Sequence, residues 1–199
     1  MRSYSQIGQD IFVKSLLKEE NYRGYFVEIG GHLPTEINNT MLLEESGWNG
    51  ISFDIIDYRQ EWKIRNTPLL IEDAINCDFV KIFSDNSVPD IVDYLSVDVE
   101  LEGERYKALL NCWKAGREYK IITIEHDSHM GYAETEREPQ RNFLSSEDYY
   151  LLFGNVKNSD GVSYEDWWIN PKFFDTKKLE KLASDGEVWS TIIEKIKFL

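Results

Sequence analysis

The sequence predicts an α/β fold, a mostly parallel central sheet with helices on both faces, in one domain spanning 1–199. Three observations predict it. Apolar runs of strand length alternate with longer helix-period stretches, the pattern of parallel strands joined by crossover helices. At 25–45 an apolar run, a Gly30-Gly31 turn and the helix-like MLLEE follow one another, as at the start of a nucleotide-binding α/β unit. Acids stand where the runs end, at Glu28, Asp54 and Asp98, and an open parallel sheet binds ligands beyond the carboxyl ends of its strands.

The elements follow in order. An opening helix is predicted from Gln9 to Leu17, with Ile11, Phe12 and Leu16 on one face. Strands are predicted at 25–29, 50–55, 68–72, 91–97 and 120–125. Helices are expected at Asn38 to Glu45, Tyr58 to Arg65 and Arg105 to Lys114. The stretch 137–171 is rich in aromatics and ends in YEDWWINP; late strands of such sheets are often antiparallel and carry substrate-facing loops. Trp167 and Trp168 there suit either sheet cover or an aromatic wall for an acceptor. The tail, 175–199, places Leu179, Leu182, Val188, Ile192, Ile193 and Ile196 at helical spacing and predicts a helical extension with a break near Gly186.

With 22 basic and 36 acidic side chains the net charge is −14, a field that repels nucleic acid and anionic membrane surfaces. Cys77 and Cys112 sit in core-like surroundings and make no disulfide framework, which points to a reducing, cytoplasmic compartment. MRSYSQIGQD lacks the apolar stretch of a signal peptide, and no run is long enough for membrane insertion. The sequence sets no oligomeric state.

The glycine turn lets backbone N–H groups approach a ligand, and an acid beside it suits a cationic or hydroxylic group better than a phosphate. Asp54, 24 positions after Gly30, is near the spacing at which an acid grips ribose hydroxyls. Asp73 and Ala74, past the third strand, suit an adenine edge, or Asp73 a helix cap. The densest cluster joins VDVELEGER (97–105) to IEHDSHMG (124–131), bringing Asp98, Glu100, Glu102, Glu125, His126 and Asp127 to neighbouring strand ends. Carboxylates and imidazole suit Mg²⁺ or Mn²⁺; a solvated acidic loop is the plainer alternative.

YSQIGQD, GYFVEIGGHLPTEINNT, GWNGISFDI, DYLSVDVELEGERY, IITIEHD and EDWWINP occur in that order across about 4–171. Together they resemble the FkbM-type S-adenosylmethionine-dependent methyltransferases. The resemblance implies a Rossmann-like class I methyltransferase fold and O-methylation of a sugar, glycan or related metabolite. It implies S-adenosylmethionine as cofactor, held by Glu28, Gly30, Asn39, Thr40 and Asp54. Asp98, Glu125 and His126 match the acid and the E-H pair at the ends of the fourth and fifth strands. Where the family has D-x-E-G, this chain reads Asp98-Val99-Glu100-Leu101-Glu102-Gly103, so Glu100 or Glu102 takes the acidic position, Glu100 being favoured.

An acceptor hydroxyl is a weak nucleophile that needs a base or a metal. The expectation is Glu100 as base, with Asp98 and His126 also catalytic, and Asp98, Glu125 and His126 around a divalent ion. A nucleotide-sugar glycosyltransferase and an inactive adenosyl-binding protein are the alternatives.

Overall fold

The computed structural model describes residues 2–100 and 103–197. Its strands are β1 (Tyr25–Ile29), β2 (Asn49–Asp54), β3 (Leu69–Ile71), β4 (Ile91–Val97), β5 (Glu118–Glu125), β6 (Tyr150–Lys157), β7 (Ser163–Ile169) and β8 (Ser184–Asp185). They form one sheet in the order β3-β2-β1-β4-β5-β7-β6-β8. β1 to β5 are parallel, β7 runs antiparallel between β5 and β6, and β8 lies parallel to β6. Strand order reverses between β1 and β4, so successive crossovers pass to opposite faces and leave a crevice at the carboxyl ends.

The helices are α1 (Gln9–Leu16), α2 (Met41–Glu45), α3 (Phe79–Asp85), α4 (Glu104–Trp113), α5 (Glu138–Ser146), α6 (Thr176–Leu179) and α7 (Trp189–Ile196). On one face Phe79 and Phe83 of α3, Leu109 of α4 and Leu144 of α5 close a core with Phe53 and Leu95. On the other, Phe12 of α1, Leu43 of α2 and Ile192 of α7 pack with Phe26 and Tyr94. The two-residue period of β7 sends Trp167 to the second core and Trp168 to the first. Both tryptophans are sheet cover, at most 1% exposed.

The five parallel strands lie where the apolar runs placed them, within two residues at each end. Elsewhere the structure departs from expectation. The helix expected from Tyr58 to Arg65 is a single 3₁₀ turn, Glu61–Ile64, because it buries only Trp62 and the chain must reach Pro68 and β3 a few residues on. α3 was not expected; Asp78 caps it by accepting from the Lys81 amide at 3.0 Å, and Phe79 and Phe83 form its buried face. The tail is not purely helical: β8 pairs with β6 between α6 and α7. Among the described residues no helix is long and apolar enough to cross a membrane.

Candidate cofactor and acceptor site

The crevice at the ends of β1, β2 and β4 is a cleft of about 410 Å³, within the range of small-molecule sites. Gly30, Asp54, Asp73, Ala74, Asp98 and Glu100 all line it, brought together from four separate stretches of chain. Gly30 crosses β4 at φ +90°, and a Cβ there would stand 1.7 Å from the Asp98 carbonyl oxygen. The close approach fixes glycine at this position. The Asp54 carboxylate ends β2 and accepts from the amides of His32 and Ile56, both at 2.8 Å, which fixes its orientation at the cleft edge. Ile55 and Ile56 follow it with 71% and 54% of their surface exposed. Asp73 accepts from Ile75 N and Asn76 Nδ2, which lowers its pKa. Among the described residues the cleft has six acids and one histidine, His32, in its lining, and no lysine or arginine.

Glu28, Asn38, Asn39 and Thr40 lie behind this surface and build the loop that shapes it. Glu28 is 1% exposed and accepts from Ser52 Oγ at 2.6 Å, Thr40 Oγ1 at 2.9 Å, Asn39 N at 3.1 Å and Asn38 Nδ2 at 3.4 Å. Burial raises its pKa, and Arg65 with these donors opposes the rise. Arg65 closes the network from the other side: it pairs with buried Glu44 at 2.7 Å and donates to Asn38 Oδ1 and Thr40 Oγ1, both at 3.0 Å. Trp62 stacks under the guanidinium and donates its Nε1 proton to the His32 carbonyl at 2.8 Å. Glu28, Asn39 and Thr40 therefore meet the loop; none lines the cleft.

The cluster beyond β4, β5 and β7 is held by arginine. Arg105, 1% exposed, donates through Nε and Nη2 to Glu125 at 2.8 and 2.5 Å and through Nη2 to Asp127 at 2.8 Å. Asp98 and Glu125 share a hydrogen bond. Burial pushes Asp98 up to about 6 and raises Glu125 as well, so the two carboxyls hold a proton near neutrality. His126 is fully buried; its Nδ1 accepts from Ser128 N at 3.1 Å and its Nε2 stands 3.5 Å from Asp166. Asp166, whose burial acts the other way, is held at about 2 by the Arg141 fork and His126.

This arrangement gives the expected metal set of Asp98, Glu125 and His126 no support. Among the described residues no three His, Cys, Asp or Glu side chains are arranged around a cation. The carboxylates of Glu125 and Asp127 are bound by Arg105, and His126 faces Asp166, away from the cleft. The cation that pairs with Glu125 and Asp127 is the Arg105 guanidinium. His126, expected as a catalytic residue, is not in the lining of the cleft. Glu102, the other claimant to the family's acidic position, lies outside the described residues.

Sequence reasoning missed Arg65 and Arg105, which bind acids distant in sequence, and Ile55-Ile56. An apolar pair directly after a strand-end acid was the one available signal, and the strand estimate absorbed Ile55.

A sheet ordered 3-2-1-4-5-7-6 with the seventh strand antiparallel, covered by helices on both faces, is the Rossmann-like class I methyltransferase fold. One solved structure agrees in fold, and two more show a weaker likeness. A protein provisionally assigned as an rRNA methylase from Clostridium thermocellum matches with TM-score 0.50 at 13% identity, over 85% of this chain and 99% of its own. Human methyltransferase-like protein 13 in complex with SAH matches with TM-score 0.47 at 9% identity, over 98% and 90%. A SAM-dependent methyltransferase from Archaeoglobus fulgidus matches with TM-score 0.44 at 16% identity, over 94% and 87%. No protein-family model and no curated protein matches the chain.

Proposed function

We propose that the protein is an S-adenosylmethionine-dependent O-methyltransferase of the FkbM type, acting on a hydroxyl of a sugar, glycan or related small metabolite rather than on nucleic acid. The observation that carries the proposal is the chemistry of the cleft. Its lining is acidic, without lysine or arginine among the described residues, and it sits at the strand-order reversal of a class I methyltransferase sheet. Such a lining favours a ligand bearing ammonium and sulfonium charges and disfavours a nucleoside diphosphate, which counts against the glycosyltransferase alternative.

Each cleft residue has a role in this reading. Asp54 accepts from the ribose hydroxyls through the lone pairs that the amides of His32 and Ile56 leave free. Ile55 and Ile56 offer exposed apolar surface to a planar base, with Asp73 and Ala74 at its polar edge. Gly30 keeps the floor open for the amino-acid end. Glu28, Asn39 and Thr40 act one layer back, fixing the loop that carries the floor.

When bound, S-adenosylmethionine supplies an electrophilic methyl group on a sulfonium sulfur. The protein's share is alignment and proton removal. Glu100, exposed at the cleft, takes the proton as the acceptor oxygen forms its bond to carbon. Asp98 orients the acceptor hydroxyl, and its shared proton with Glu125 keeps the pair from repelling the incoming oxygen. No step uses a divalent ion.

Labelled S-adenosylmethionine tested against sugars, glycans and a ribosomal RNA fragment decides the acceptor class. Label transfer to a carbohydrate hydroxyl, lost in Glu100→Gln, is the expected result. Transfer to RNA alone overturns the acceptor assignment.

A further inference from the structure

A second concavity, about 400 Å³, lies at the opposite end of the sheet from the cleft. Its walls come from the end of α1, the segment leading into β1 and the turn between α2 and β2. Lys14, Lys18 and Arg23 converge on it above an aromatic floor of Tyr22 and Trp48. Among the described residues its one acid is Glu19.

Three cations in one concavity are unexpected in a chain of net charge −14. Among the described residues none of the three forms an ion pair, whereas Lys120 close by is bound to Asp93 at 2.8 Å. Lys14 donates to Ser46 Oγ, and Arg23 Nη1 donates to the Ser46 carbonyl at 2.6 Å. The cations are thus drawn to the same residue from two sides. Burial, and then Arg23, lower the Lys14 pKa, the mark of a cation whose neighbours do not compensate it. Arg23 at the end of α2 is partly accounted for as a cap on a terminal carbonyl. That contact uses one of five guanidinium N–H groups, and it leaves Lys14 and Lys18 without a structural counter-charge.

We infer that this pocket is a binding site for the phosphate of a small anionic ligand, with Lys14, Lys18 and Arg23 as its cationic wall. Arg23 presents its free N–H groups as a fork, the lysines act as point charges, and Tyr22 and Trp48 back them with an apolar surface. The inference is independent of the cleft: it stands on a different end of the sheet and on the opposite sign of charge.

Calorimetry with pyrophosphate on the full chain tests it, with wild type beside the Lys14→Gln/Arg23→Gln double variant. The expected result is one saturable site on wild type, weakened by added salt, with affinity about tenfold or more lower in the double variant. Should the double variant fail to fold, Lys18→Gln serves, because Lys18 is exposed and bonds to no described residue; about threefold loss is expected. Absence of binding to wild type at about 10 mM pyrophosphate, or equal affinity in the variants, overturns the inference. Tighter binding of a single-stranded RNA oligomer, lost in the same variants, overturns the assignment to a small ligand.

Discussion

Glu165 sits in β7 at 2% exposure, accepting from Trp167 Nε1 and from the Gln9 side chain, with the carboxyls of Glu125 and Asp166 nearby. Burial pushes its pKa from 4.5 up to about 8; the Trp167 and Gln9 donors oppose the rise, and the Glu125 and Asp166 carboxyls add to it. In the unfolded chain the same group ionises at its ordinary value. Between these limits the folded state holds a proton that the unfolded state has lost, so stability falls as pH rises. The contribution is fully present below 4.5 and is lost as pH rises through about 8. Each unit of difference is about 1.4 kcal/mol, which sets an upper bound of about 5 kcal/mol over the window. For a chain of this length unfolding entropy is about 0.4 kcal/mol per degree, so the bound corresponds to about 10 °C in Tm. Replacing Glu165 with glutamine keeps an acceptor for Trp167 and removes the ionisation. Thermal unfolding followed by circular dichroism from pH about 5 to about 8 is then expected to show the wild type losing about 5–10 °C relative to Glu165→Gln. Asp98 and Glu125 slope both proteins the same way, and because Glu165 itself raises Asp98 the variant loses part of that slope, which adds to the difference in the same direction. Parallel curves, or a variant that loses more stability than wild type at high pH, would refute the reasoning.

Gly30→Ala places a Cβ 1.7 Å from the Asp98 carbonyl oxygen at φ +90°, and is expected to lower stability by about 3 kcal/mol or more in urea titration; a wild-type midpoint contradicts this. Arg65→Met leaves Glu44 buried without its cation, and is expected to cost about 3–5 kcal/mol and to speed amide exchange at Asn39 and Thr40. Unchanged exchange at those amides would show that the 31–40 loop does not depend on Arg65. Because Arg105 binds Glu125 and Asp127, stripping divalent ions with EDTA is expected to leave Tm within about 1 °C, and a fall of several degrees contradicts the assignment.

The parts of the fold legible in the sequence are those written in consecutive residues. The buried parallel strands read as apolar runs because both faces are covered, and the glycine turn reads because Gly30 and Gly31 adjoin a strand. The cleft was likewise legible through Gly30, Asp54, Asp73, Ala74 and Asp98, each placed at a strand end by chain order alone. What sequence could not show is which charges meet across the sheet. The Arg105–Glu125 pair spans 20 positions and Arg65–Glu44 spans 21, so the acids looked unpaired and a metal was expected in place of a guanidinium. Glu28 misled in a related way: a strand-end acid reads as ligand-facing, yet four donors from the loop and β2 turn it inward. α3 went unread because its two phenylalanines make too short a periodic signal beside the strands around it.

The central claim is that the acidic cleft takes an adenosyl ligand through Asp54. Calorimetric titration of the wild-type chain and of Asp54→Ala with S-adenosylhomocysteine measures it directly. The account predicts one site per chain with a Kd in the micromolar range, weakened about tenfold or more in the variant. No detectable binding to wild type at about 1 mM, or equal affinity in Asp54→Ala, would contradict it.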